Sequence, residues 1–89
     1  MWVRIDEIAF PRARTDEVID HVRNTAASKH EGEGFRGFRL LVDRNSGHAL
    51  DVSYWDTEVA AAQGGDSAND NGLTQTIRSN VYELSIDAV

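Results

Sequence analysis

Apolar and polar residues alternate most regularly between Gly34 and Trp55, in the stretch GFRGFRLLVDRNSGHALDVSYW. Phe38, Leu40 and Val42 recur at every second position before Asn45-Ser46-Gly47, and Leu50, Val52 and Tyr54 do so after it. A period of two marks strands, and the Asn-Ser-Gly cluster favours a tight reversal, so the stretch predicts a β-hairpin. Pairing the arms through that short loop is expected to gather these six side chains on one face. Phe35, Arg39, Leu41, Ala49, Asp51, Ser53 and Trp55 then share the other, a set too apolar for a face washed only by water.

The remaining elements follow from period and punctuation. Trp2 to Phe10 alternates loosely and predicts a first strand, ended by Pro11. Thr15 is placed as a helix N-cap with Asp16 and Glu17 in the first turn, and Val18, Ile19, Val22 and Ala26 recur at helical spacing up to Lys29 or His30. After the hairpin, Asp56-Thr57-Glu58 starts a short alanine-rich helix that Gly64-Gly65 stops. The polar stretch Asp66 to Gly72 reads as a loop, Leu73 to Arg78 as one or two further helical turns, and Val81 to Asp87 as a last strand. The order strand, helix, strand, strand, helix, strand predicts an α+β, ferredoxin-like fold: a four-stranded antiparallel sheet with both helices on one face. The opposite face is expected to hold Trp2, Arg4, Asp6, Ile8, Phe35, Arg39, Leu41, Asp51, Ser53, Trp55, Val81 and Glu83, a mixed surface that packing against a second copy would satisfy.

Composition narrows the function classes. Eighty-nine residues predict a single domain, 1–89, with a thin stability margin. The net charge of −6 argues against nucleic acid and anionic membranes as partners, and the absence of cysteine removes thiolate chemistry. No apolar run is long enough to cross a bilayer as a helix and the amino terminus does not read as a signal peptide, so the expected location is cytoplasmic.

Several short motifs carry a family resemblance: Pro11 before the first helix, Gly34-Phe35-Arg36-Gly37-Phe38 opening the second strand, the Asp43 to Gly47 turn, and Ser53-Tyr54-Trp55-Asp56 running into the second helix. In these the chain resembles the antibiotic biosynthesis monooxygenase (ABM) domains of the dimeric α/β-barrel superfamily. The resemblance implies a homodimer in which the two sheets form a barrel, with a pocket between each sheet and its own helices. It also implies either a cofactor-independent monooxygenase acting on an aromatic or polyketide-like small molecule, or a non-catalytic binding or interaction module of the same fold. Haem-degrading members pair a tryptophan matching Trp55 with a histidine on the second helix and an asparagine on the first strand. Gly64-Gly65-Asp66 and Asp6-Glu7 stand at those places here, which disfavours haem degradation.

Candidate pocket residues are Trp55, Tyr54, His48 and Phe38. Trp55 can stack on a flat ligand and donate its indole N–H, or simply plug the end of the sheet. Of the three histidines, His21 and His30 are expected at the surface, and His48 is the best placed to reach a pocket because its parity matches Leu50 and Val52. Gly32, Gly34 and Gly37 spell GxGxxG but follow a helix and open a strand, the reverse of a dinucleotide site. The Asp66 to Gly72 loop fails as a calcium loop because Arg78 falls where the bidentate glutamate belongs. No HExxH or GxSxG motif is present. No cofactor or metal is therefore expected.

Overall fold

Strand β1 (Trp2–Ala9) sits inside a four-stranded antiparallel sheet, paired on one edge by β3 (His48–Trp55) and on the other by β4 (Gln75–Glu83). Strand β2 (Phe35–Asp43) flanks β3, giving the order β2-β3-β1-β4. Helices α1 (Thr15–Lys29) and α2 (Glu58–Gln63) complete the βαββαβ sequence, which is the predicted ferredoxin-like arrangement. The computed structural model describes residues 1–29, 33–64 and 72–88, so His30, Gly32 and residues 65–71, which hold all of the calcium-like stretch except Gly72, lie outside the described residues.

Both helices lie on the same side of the sheet. Val18 and Val22 of α1 pack into a core with Ile8, Phe10, Ala49 and Leu73, to which Phe38, Leu40 and Val42 add a partly buried edge. Each fully buried aliphatic side chain in such a core contributes about 1.5–3 kcal/mol. Arg4, on the same side of β1 as Ile8, donates from Nη1 to the carbonyls of Ala61 (3.3 Å) and Ala62 (2.9 Å) and so satisfies the end of α2. At its start, within the predicted Asp56-Thr57-Glu58 run, α2 is capped by Thr57, whose side chain accepts the Ala60 N–H at 3.1 Å. The start of α1 differs from expectation. A 3-10 turn, Arg12–Arg14, precedes it, and the buried Thr15 hydroxyl donates to the Arg12 carbonyl at 2.6 Å rather than accepting from a helix N–H.

Residues 75–78 also differ, being strand rather than helix. Strand β4 starts at Gln75, and Thr76, Ile77 and Val81 suit the extended chain paired along β1. Two irregularities interrupt the ladders. Arg36 is an extra residue between Phe35↔Trp55 and Gly37↔Tyr54, and Ile77 is an extra residue between Glu7↔Arg78 and Ile8↔Thr76. Gly37 follows the first with φ 132°, a conformation side chains with a Cβ rarely adopt.

The most consequential departure is the hairpin register. Asp43 pairs with His48, so the reversal spans four residues, 44–47, and not the three of Asn45-Ser46-Gly47. Asp43 organises that loop: its Oδ1 accepts the Asn45 N–H at 3.0 Å, and its carbonyl accepts the Gly47 N–H at 3.1 Å. Gly47 adopts φ 73°, and a Cβ there would lie 2.4 Å from the Phe10 carbonyl oxygen. One extra loop residue moves every β3 side chain to the opposite face relative to β2. Phe38, Leu40 and Val42 therefore share the helix side with Ser53, Asp51 and Ala49, while Leu50, Val52 and Tyr54 go to the open side.

The same shift corrects the expected composition of both faces. Arg4, Asp6, Ile8, Phe35, Asp51, Ser53 and Trp55 lie under the helices, and Val81 and Glu83 share their side through pairing with Arg4 and Trp2. Of the residues expected on the open face, only Arg39 and Leu41 are there. They are joined by Val3, Ile5, Glu7, Leu50, Val52, Tyr54, Asn80 and Tyr82, in rows such as Tyr82–Val3–Tyr54 and Asn80–Ile5–Val52–Arg39.

Candidate functional site

The helix side of the two inner strands is polar where an ordinary core would be oily. Asp6 and Asp51 are direct cross-strand partners, 2% and 1% exposed. The Arg4 guanidinium holds Asp6 through Nε at 3.1 Å, and the Ser79 hydroxyl donates to the same carboxylate. Burial of two carboxylates costs several kcal/mol each unless cations and donors compensate, so this cluster restrains how the inner strands and α2 sit together. Next to it, the Trp55 indole N–H donates to Ser53 Oγ at 2.9 Å, and the ring meets Phe35 edge-on with centroids 5.3 Å apart.

Beside that polar floor, α1 and β2 enclose an apolar cleft of about 230 Å³ lined by Ile19, Val22, Phe38, Leu40 and Val42, with Arg23 on its rim. The guanidinium of Arg23 is exposed and pairs with Asp20 at 3.2 Å. On the open side a second depression of about 250 Å³ is bordered by Glu7, Leu41, Asp43, His48 and Leu50.

The four sequence-predicted residues divide between the two sides. Phe38 lines the α1–β2 cleft, and Trp55, 3% exposed, is buried on the helix side with its N–H engaged by Ser53. Tyr54 and His48 stand on the open side, where the Tyr54 hydroxyl accepts from Arg39 Nη1 at 2.9 Å and His48 borders the second depression. Adjacent strand residues point to opposite faces, so Tyr54 cannot share a pocket with Trp55 in one chain.

Sequence reasoning missed the buried pair Asp6 and Asp51, because the alternation of Leu50, Val52 and Tyr54 drew the core to the wrong side of β3. It also placed His21 at the surface. In the structure His21 is only partly exposed, and its Nε2 is buried with no hydrogen-bond partner among the described residues. The available signal was helical spacing, since His21 lies three residues after Val18 on the buried face of α1.

Among the described residues there is no group of three or more histidine, aspartate or glutamate side chains gathered to hold a metal, and no helix is long and apolar enough to cross a membrane.

No protein-family model and no curated protein matches the sequence. Solved structures do match over the whole chain. One is the haem degrader MhuD of Mycobacterium tuberculosis with two haems bound in its active site, 21% identical with a TM-score of 0.76, covering 100% of both chains. Another is a Deinococcus radiodurans protein classed with the antibiotic biosynthesis monooxygenases, 16% identical with a TM-score of 0.67, covering 100% of this chain and 96% of that one. The fold is that of the antibiotic biosynthesis monooxygenases. At this identity the ABM likeness concerns the path of the backbone, and the side chains that do chemistry must be argued from this chain alone. Within the ABM fold the polar floor, the Trp55–Phe35 pair and the α1–β2 cleft all lie between the sheet and its helices.

Proposed function

We propose that the chain is an ABM-fold homodimer that binds a compact aromatic or polyketide-like molecule between α1 and the sheet and oxygenates it without a cofactor. The observation that carries the reading is the α1–β2 cleft, which puts an apolar wall of Phe38, Leu40 and Val42 beside a buried polar floor. Such a site removes water from a ring system while offering groups that can hold a polar substituent. In cofactor-free oxygenation the substrate loses a proton to a base, and its electron-rich anion reacts directly with dioxygen. A cleft of about 230 Å³ suits one or two rings better than a large polycycle.

The dimer reading rests on the open face, where Leu41, Leu50 and Tyr82 are 54%, 37% and 50% exposed beside Ile5 and Val52. A sheet face this apolar is better satisfied by a second copy than by water.

Non-catalytic binding of the same kind of ligand is the second reading. It is favoured by Trp55, whose N–H is already engaged by Ser53 and whose ring is buried. Thermal shift with 2-naphthol and anthrone, followed by dioxygen uptake, separates the readings. Stabilisation with uptake supports oxygenation, stabilisation without uptake supports the binding module, and no stabilisation by either compound refutes both.

A further inference from the structure

We infer that the α1–β2 cleft takes its ligand as an acid: an aliphatic, polyketide-like body lies along the groove, and Arg23 holds its carboxylate at the rim. This rests on the cleft being the ligand site, as proposed above, and names the kind of ligand and the residue that selects it.

The groove is elongated. Arg44 of the hairpin loop reaches Asp16 in the first turn of α1 at 2.9 Å, so α1 starts beside the hairpin end of β2 and runs antiparallel to that strand. Phe38, Leu40 and Val42 form one row on β2, about 13 Å from first to last. Ile19 and Val22 face the row from the helix, and Arg23 stands about 6 Å beyond Ile19, away from the hairpin. The cleft therefore has apolar walls along its length and one charged lining residue, on its rim. Because β2 is the edge strand, the groove follows the border of the sheet.

The walls suit a flexible body. Four of the five apolar lining residues are branched aliphatics, and Phe38 is the one ring among them. Trp55 and Phe35 pack edge-on against each other and do not line the cleft. A flat ligand thus finds no facing pair of rings to stack between, whereas an aliphatic chain buries its methylenes all along the groove.

Arg23 selects the acid. Its tie to Asp20 is a single contact, Nη1 to Oδ1 at 3.2 Å, between side chains 70% and 69% exposed. Arg36, by comparison, holds Asp56 through two contacts of 2.7 Å. A lone exposed pair is weak and exchanges readily, and a guanidinium presents a planar fork of N–H donors that fits a carboxylate. A ligand acid at the rim can take that fork with two parallel hydrogen bonds while its body stays in the groove. The net charge of −6 disfavours anions in general, so an acid that binds in spite of it reports a local cation.

The test compares octanoate with octanol, which keeps the aliphatic body and loses the charge, by calorimetry on the full chain. Apolar burial alone favours the alcohol. The expected result at low salt is a preference of about five- to tenfold for octanoate, shrinking as salt is added. Arg23→Gln should abolish the preference. Asp20→Asn, which removes the competing carboxylate, should tighten octanoate severalfold and leave octanol unchanged; both positions are exposed, so neither change touches the core. The methyl resonances of Ile19 and Leu40 should move with both compounds, placing them in the cleft. Octanoate binding no tighter than octanol, or a preference that survives Arg23→Gln, overturns the inference, while shifts at Ile19 and Leu40 keep the cleft as a ligand site. Binding of neither compound, with stabilisation by 2-naphthol or anthrone, overturns the aliphatic acid alone. No binding by any of the four overturns the cleft reading with it.

Discussion

Gly64 lies so close against the Trp55 indole that a Cβ at this position would stand 2.6 Å from Cζ2 and 3.1 Å from Cε2. The glycine ends α2, its N–H donating to the carbonyls of Ala60 and Ala61, so the helix terminus and the tryptophan are fixed by one close approach. Gly64→Ala should therefore push the ring from its seat against Phe35 and weaken the Ser53 hydrogen bond. Overpacking of this kind costs about 1–3 kcal/mol. Differential scanning calorimetry should show a Tm lowered by roughly 4–8 °C per kcal/mol. An unchanged Tm would mean that Trp55 moves aside freely and is not held as described.

Arg4 joins the buried carboxylate of Asp6 to the end of α2. Removing it in Arg4→Ala leaves that carboxylate without its cation and should cost about 3 kcal/mol or more in urea unfolding. Replacing both partners, as in Arg4→Met with Asp6→Asn, should cost less than the single change, because no uncompensated charge is left behind. A double variant less stable than Arg4→Ala would contradict this account of the cluster.

Between the bulge in β2 and the start of α2, Arg36 grips Asp56 with two contacts, Nε to Oδ1 and Nη2 to Oδ2, both 2.7 Å. The Arg36 hydrogen bond, and then its charge, hold the Asp56 carboxyl below its ordinary value of 3.8. Because folding lowers this pKa, the stabilisation is complete above the unfolded value and vanishes as pH falls through the folded one. The Tm difference between wild type and Asp56→Asn should be visible at about pH 6 and shrink below about pH 4. It should also shrink with added salt, since both side chains are exposed. A difference that grows on acidification would reverse the assignment.

The inward and outward sets of β3 were where the sequence misled, and the reason is physical. Element order was readable because Pro11, Asp16-Glu17, Thr57 and Gly64 punctuate the chain at the ends of elements, and the α2 cap formed as its residues indicate. The hairpin itself was also readable, but its register was not, because Asp43 recruits one more residue into the loop through its side chain. Patterning rules then assign Leu50, Val52 and Tyr54 to the interior, whereas the fold puts Ala49, Asp51 and Ser53 there. Polar inside and apolar outside is a poor arrangement for an isolated monomer and a sensible one for a sheet with a polar site under its helices and a second copy on its other face. His21 escaped notice for a related reason: a lone histidine beside a valine stripe carries no sign of which of its nitrogens is buried.

The open face provides its own test. Leu50→Glu places a charge in the middle of that face, between Glu7 and Leu41. Sedimentation equilibrium at micromolar concentration should report a dimer for wild type and a monomer for the variant. A wild-type monomer would remove the dimer from the proposed function and leave Leu41 and Tyr82 as solvent-exposed side chains without a partner surface.

Each free edge of the sheet carries the kind of defect that discourages lateral growth. On β2 the extra residue is Arg36, with Arg39 three positions on, and on β4 it is Ile77, followed at once by Arg78. A strand from another chain approaching either edge would meet a kinked ladder and a guanidinium. Association through the flat apolar side is not obstructed in this way, and it is self-limiting, because two copies laid face to face cover each other's open face. The two arginine-marked kinks thus oppose fibril growth by edge pairing and leave the open face as the surface through which the proposed dimer would close.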